Sequence, residues 1–441
     1  MKSLLLTGAL FLLLHPPVKA QSEAEAVNDF IQHAFYLSEV MLHDAASPPA
    51  AARFYAYAMW GAFQSLPATH ASTPLTSCFH AALSLDAPPL PTRFSEYFCA
   101  IYAMLEIGKQ MMPSGYLLKE KEDKLLRAYR KKYKWKPQDA EENRNFALQI
   151  AAQVIAYART DGYFLLSALP RYKPVAKEEG HWYPTPPEYM AASEPHWKTI
   201  RPFFLDSAGQ FAPPLPVPFS TDKESAFFSL LEEVYRTGNA LTKEQKEAAA
   251  FWDCNPFAVF YSGHAAIGLK KISPGGHWIL ISGIACRQAK ASFRKTAAVH
   301  AMLALVLHDA FISCWDEKYR SDRIRPQTAI NRHVNAEWTP LLQTPPFPEY
   351  TSGHSVVSAA AAEVLSYFFG DKFRFTDTSE EYFGLPPRTF NSFREAADEA
   401  ALSRLYGGIH FRDAIEDGQK QGTSIGNFVI SKVKRVNLAD Y

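Results

Sequence analysis

Three short stretches in the C-terminal part of the chain carry residues suited to holding an anion. "KYRSDRIRPQ" (318–327) sets Lys318, Arg320, Arg323 and Arg325 around one acid, Asp322, in a 441-residue chain whose net charge is only +1. Lys318 and Arg325 are seven apart, which on a helix places them two turns apart on nearly one face. Arg320 and Arg323 fall on other faces, and Pro326 disfavours helix at Ile324–Arg325 and turns the chain. "PPFPEYTSGHS" puts Ser352 just before an apolar helix. Gly353 can expose its N–H there and His354 falls in the first turn, an arrangement that receives anions. In "SRLYGGIHFRD", Arg404 and His410 are six apart and would diverge on an unbroken helix. Gly407 and Gly408 supply a break, so Arg404 can close one helix while His410 opens the next. Asp413 could then hydrogen-bond one imidazole nitrogen and leave the other free as nucleophile or ligand.

Each stretch alone has an ordinary structural counterpart: a cationic helix end, a serine N-cap, and a Gly-Gly turn beside a core histidine. Their coincidence carries the chemistry. A tetrahedral oxyanion needs cations around its oxygens, neutral donors beside them, and a histidine on the axis to attack or bind the central atom. Lys318, Arg325 and Arg404, then Ser352 and Gly353, then His354 and His410 make up that set.

Together, K-x6-R-P, S-G-H and S-R-x5-H resemble the signature of one superfamily. It comprises type 2 phosphatidic acid phosphatases, bacterial acid phosphatases and vanadium-dependent haloperoxidases. The motifs span Lys318 to His410, and their helical setting extends the likeness over residues 221–441. Trp315, "PPFPEY" and the long helical region ahead are similar to the haloperoxidase branch. The resemblance implies that His410 would coordinate vanadate, or attack phosphorus in a phosphatase. Lys318, Arg325 and Arg404 would neutralise the equatorial oxygens, and Ser352 with the Gly353 N–H would complete the cradle. His354 would be the acid–base group, so that His354, His410 and Lys318 form the catalytic set. Thr351 replaces the proline that often precedes Ser-Gly-His. Phe347 stands where bromide-oxidising relatives carry histidine and chloride-oxidising ones phenylalanine, which assigns no halide here. The implied function is an exported, vanadate-dependent oxidation of halide by hydrogen peroxide. The alternative is a cofactor-free phosphatase acting on phosphate monoesters. A third reading, from another class, is a non-catalytic oxyanion-binding protein of the cell envelope.

The elements that must position these residues read as helices. Composition is globular, 47% apolar and 21% charged, and the near-zero net charge gives no field that would draw in nucleic acid or an acidic membrane. Residues 1–20 have the charged, apolar and small-residue parts of a signal peptide. No later uninterrupted apolar run has transmembrane length, so a secreted or periplasmic chain that does not span the membrane is expected. Residues 21–169 show helical periodicity. Residues 170–220 are rich in proline and aromatics and should cross the helical body in an ordered path, because Trp182, Tyr183, Trp197, Phe203 and Phe204 need burial. Residues 221–441 return to helix and carry the site. The fold class is therefore all-α, two helical-bundle units, with no sustained strand alternation. The five cysteines lack metal-ligand spacing. A Cys78–Cys99 disulfide is possible, and Cys314 should lie buried in a helix. His43-Asp44, His308-Asp309 and "GGHW" (275–278) could line a pocket, but read first as polar groups paired inside a helical core. "WDCNPF" (252–257) reads as part of the site roof, without assigned chemistry.

Overall fold

The computed structural model describes residues 22–67, 74–81, 83–175, 179–186, 188–256, 270–436 and 438, and the backbone of 259–262 and 265–268. The expected signal peptide lies outside the described residues. The first helices are α1 (Glu23–Asp44), α2 (Pro48–Gln64), α3 (Glu96–Met111), α4 (Lys119–Tyr133) and α5 (Pro137–Ala158). After an irregular crossing come α6 (Ala226–Asn239), α7 (Lys243–Phe251), α8 (Pro274–Gln288), α9 (Phe293–Ser321) and α10 (Pro326–His333). The chain closes with α11 (Gly353–Phe369), α12 (Phe393–Tyr406) and α13 (Arg412–Val433). The helix starts are written in the sequence. Ser22 and Glu25 form a capping box on α1, Ser47 caps α2 ahead of Pro48, and Ser273 caps α8 ahead of Pro274.

The all-helical expectation is met, with two small additions. Short antiparallel hairpins join β1 (Val259–Ser262) to β2 (Ala265–Gly268), and β3 (Phe375–Asp377) to β4 (Arg388–Phe390). Strands this short leave too little alternation for sequence patterning to register.

Two bundles meet along α9. α2, α3 and α5 pack in the first, α11, α12 and α13 in the second, and α9 lies against both α2 and α11. From Thr296 to Trp315 every α9 residue is buried. By length and composition α9 could cross a membrane, yet its apolar window is wholly enclosed by the rest of the protein. Cys314 is buried in this helix, as expected.

The crossing segment packs largely as its aromatics demand: Trp182, Trp197, Phe203 and Phe204 are buried, whereas Tyr183 is half-buried beneath the Arg332 guanidinium. Asp309 fixes it by accepting the Phe203, Phe204 and Leu205 N–H groups at 2.8, 2.7 and 3.1 Å. Burial raises the Asp309 carboxyl to about 6, against the pull of those donors. Beside it, His308 bonds the Arg201 carbonyl at 3.2 Å. The His308-Asp309 pair is structural. Further along, Ile324 donates to the Gly180 carbonyl and Trp182 to that of Asp322, so the crossing braces the chain just after α9. The possible Cys78–Cys99 disulfide is absent, and all five thiols are free. The Cys78 Sγ faces the Lys432 carbonyl and the Cys99 Sγ faces Asn143, each packed among different neighbours.

Candidate functional site

Lys318 and Arg325 do come together, by a different route from two turns of one helix. α9 stops at Ser321, Asp322 takes a left-handed conformation (φ 47°), and Arg325 is extended before Pro326 opens α10. The convergence therefore comes from a chain reversal, with the proline starting a helix. Lys318 is fully buried, and its Nζ donates to the Pro348, Glu349 and Thr351 carbonyls. It thus holds the turn that leads into Ser352. Arg325 is equally buried and donates from Nε to the Phe347 carbonyl (2.8 Å) and from Nη1 to the Ile409 carbonyl (2.9 Å). Its Nη2 has no partner. Phe347 lies 5.1 Å from the lysine charge and 5.0 Å from the guanidinium, so an aromatic face covers both. Arg320 is part-exposed and pairs with Glu317, outside the site.

His410 is positioned by an acid that motif spacing did not identify. Its Nδ1 donates to Glu349 Oε1 at 2.9 Å, and Nε2 accepts from Arg325 Nη1 at 3.2 Å. The same carboxylate oxygen takes the Phe411 N–H at 2.9 Å. Asp413, the acid expected at this place, binds Arg323 Nη1 through both oxygens at 2.9 and 2.8 Å. Arg323 lies 3.4 Å from Glu349 Oε2, so Asp413 reaches the imidazole only through Arg323 and Glu349. The reason is local: Asp413 is in the first turn of α13 and points back to Arg323, whereas His410 precedes the helix and faces the 348–351 turn. Glu349 lies within "PPFPEY", where a fully buried acid in a proline-rich turn is the signal that could have found it.

The remaining residues fall where expected. Ser352 is the buried N-cap of α11, and its side chain accepts the Ser355 N–H. Gly353 opens the helix, and a Cβ there would point at the Trp315 ring 3.7 Å away, into the cavity. Arg404 lies in the last turn of α12, and Gly408 (φ 75°) makes the break before His410. Arg404 Nη1 donates to the Trp252 carbonyl at 2.8 Å, leaving Nε unpartnered. The Trp252 carbonyl also takes a hydrogen bond from His354, whose Nε2 is buried and unpartnered. Of "WDCNPF", Trp252 serves through its backbone oxygen, which no side-chain motif could reveal, Cys254, Asn255 and Pro256 line the cavity, and Phe257 lies outside the described residues.

Gly353, His354, Arg404 and His410, with Trp315 and Phe347 but not Lys318, Arg325 or Ser352, line a cavity of about 40 Å³. That is room for a few water-sized groups. Burial dominates its electrostatics. It lowers Lys318 to about 8 and Arg325 to about 9, and lowers Arg404 as well. It raises Glu349 to about 7, against the pull of Arg323. Burial and the neighbouring cations hold His410 and His354 well below the ordinary histidine range, so both rings are neutral. A cationic donor set with unpartnered N–H groups repels a bare metal cation and fits an oxyanion. Among the described residues, no group of three or more His, Cys, Asp and Glu could hold a metal ion.

The other polar candidates do not line this cavity. His43 pairs with Asp44, which accepts the Ser114 N–H and ties α1 to the turn before α4. His277 of "GGHW" is buried between Asp377 (2.8 Å) and Glu380 (3.5 Å) and stacks on Trp252.

A protein-family model, the VCPO second helical-bundle domain, matches residues 298–438. The structure is similar to that of the first bacterial vanadium-dependent iodoperoxidase, with a TM-score of 0.85 and 41% sequence identity over 94% of this chain and 97% of that one. Holo- and apo-type bacterial vanadium-dependent chloroperoxidases share the fold at TM-scores of 0.67 and 0.68, with 17% identity. The former alignment covers 90% of this chain and 94% of that chain, the latter 88% and 94%. No curated protein matches the sequence. An identity of 41% across nearly the whole of both chains, on a shared helical fold, makes this chain a member of the vanadium-dependent haloperoxidase superfamily of oxidoreductases.

Proposed function

We propose that the protein is an exported haloperoxidase that binds vanadate and oxidises halide with hydrogen peroxide. Bound vanadate would supply the Lewis acidity that activates peroxide towards halide. The observation that carries the reading is the state of His410. Its Nδ1 proton is committed to Glu349, so Nε2 presents a lone pair, which takes the Arg325 Nη1–H at 3.2 Å and would exchange that contact for the oxyanion's central atom, beside the unpartnered Arg325 Nη2 and Arg404 Nε. A ligand for an oxyanion's central atom needs that tautomer. Arg325, Arg404 and Lys318 would neutralise the oxyanion's charge, and Ser352 and the Gly353 N–H would receive its remaining oxygens.

His354 completes the division of labour. With one ring nitrogen on the Trp252 carbonyl and Nε2 unpartnered, the neutral ring offers a lone pair rather than a proton. That suits deprotonation of peroxide, and suits less well the protonation of a leaving alkoxide that phosphate-ester cleavage requires. Iodide is the first halide to offer, because the relative at 41% identity is an iodoperoxidase. The leader at residues 1–20 supports export to a compartment outside the cytoplasm.

The test is to incubate metal-free protein with orthovanadate and follow peroxide-dependent oxidation of iodide, and bromination of a dye. Hydrolysis of a phosphate monoester without vanadate is run in parallel. Vanadate-dependent halide oxidation, suppressed by excess phosphate, is expected. Ester hydrolysis inhibited by vanadate, with no halide oxidation, would assign the site to phosphoryl transfer.

A further inference from the structure

Of the five thiols, only Cys254 lines the cavity that holds His354, Arg404 and His410. It is also the one set against a histidine–carboxylate pair. Its Sγ lies 3.5 Å from His277 Nδ1, and His277 Nε2 donates to Asp377 at 2.8 Å. The Glu380 carboxylate lies 3.5 Å from the same Nδ1, and its Oε1 has no hydrogen-bond partner. All of these groups are at most 3% exposed, so any reagent that meets Cys254 reaches it through the cavity.

We propose that Cys254 is a peroxide-oxidised thiol, converted to the sulfenic acid by hydrogen peroxide that enters the oxyanion cavity. The inference rests on the haloperoxidase reading only in taking peroxide to be admitted there. In the step, sulfur attacks one peroxide oxygen, an S–O bond forms and the O–O bond breaks. Cys–SH and H2O2 thus give Cys–SOH and H2O; sulfur loses two electrons and peroxide gains them. The departing oxygen takes the Nδ1 proton of His277 to become water, and the thiol proton replaces it on Nδ1 as the S–O bond forms, so the thiol proton is the one lost in the balance. The two carboxylates hold His277 as an imidazolium, well above the ordinary histidine range. Burial pushes the thiol up while this cation pulls it down. The geometry therefore favours proton transfer within the step over a standing thiolate.

The sulfenic acid would sit two residues from Trp252, whose carbonyl orients both Arg404 and His354. Oxidation at Cys254 is thereby coupled to the roof of the oxyanion site, and a small thiol reductant reverses it.

The experiment treats vanadate-free, halide-free native protein with hydrogen peroxide and dimedone, then reads the adduct at each cysteine by mass spectrometry. Cys254 should label at least about tenfold faster than Cys78, Cys99, Cys286 and Cys314, and His277→Gln should slow it by about tenfold. Inorganic phosphate bound in the clamp should slow it too. Labelling of Cys254 no faster than the other four in the native wild type would overturn the proposal, as would an unchanged rate in a folded His277→Gln. The wild-type comparison stands even if that variant fails to fold. Because labelling needs neither vanadate nor turnover, a working haloperoxidase with an unlabelled Cys254 overturns this inference alone.

Discussion

His410 and His354 face one cavity and are both held neutral, His410 buried and His354 half-buried with its Nε2 enclosed, yet they are held in opposite ways. His410 is fixed from behind by a chain of side-chain contacts through Glu349, Arg323 and Asp413, and touches Arg325 in front. His354 is fixed by one backbone oxygen, that of Trp252, and its second nitrogen has no partner. On the proposed reading, the contrast separates binding from proton transfer within one site. A ligand nitrogen needs a set tautomer and a rigid ring, which an ion-paired carboxylate supplies. A base needs an unoccupied lone pair and a ring that takes up a proton without breaking a charged contact, which a peptide carbonyl allows.

The largest effect should come from removing the ligand: His410→Ala should leave no measurable vanadate-dependent halide oxidation in a steady-state peroxidase assay. His354→Ala should lower turnover by about 10²–10⁴-fold, the range for loss of an acid–base group, with the loss in kcat. A milder loss there would show that peroxide is deprotonated elsewhere. Glu349→Gln keeps the shape but removes the charge behind His410, and should weaken vanadate binding by about 10–100-fold. Asp413→Asn acts only through Arg323, so its effect on the same binding titration should stay below about tenfold. A larger effect from Asp413 than from Glu349 would reverse the order of support. The smallest effect is on pH. Lys318, lowered to about 8 by burial, is charged below that pH and neutral above it. Sulfate keeps its charge between about pH 6 and 9, so its affinity should fall on the alkaline side by up to about tenfold, and a Lys318→Met variant should keep only the part that Arg325, lowered to about 9, contributes at the top of that range.

The sequence made some of this legible and hid the rest for physical reasons. Apolar periodicity located α1, α2, α9, α11, α12 and α13, because each buries one face or all of itself against its neighbours. The cations and histidines were visible because charge and imidazole at those spacings have few structural uses in combination. Glu349 was not assigned, since an acid in a proline-rich turn carries no periodicity. Asp413 was paired with His410 on separation in sequence alone. The route from Lys318 to Arg325 was misjudged because a left-handed Asp322, which ends α9 early, looks like any other helical residue in a sequence. The part of "WDCNPF" that holds Arg404 is the Trp252 carbonyl, an atom common to every residue type. Side chains announce chemistry, whereas backbone atoms and long-range partners emerge only when the bundles close around α9.

The most direct measurement is a calorimetric titration of orthovanadate into metal-free wild type, His354→Ala and His410→Ala, with halide oxidation assayed on the same samples. The division of roles predicts that His354→Ala binds vanadate within a few-fold of wild type while turning over poorly, and that His410→Ala does neither. Equal loss of binding in the two variants would contradict it, because both rings would then be serving as ligands.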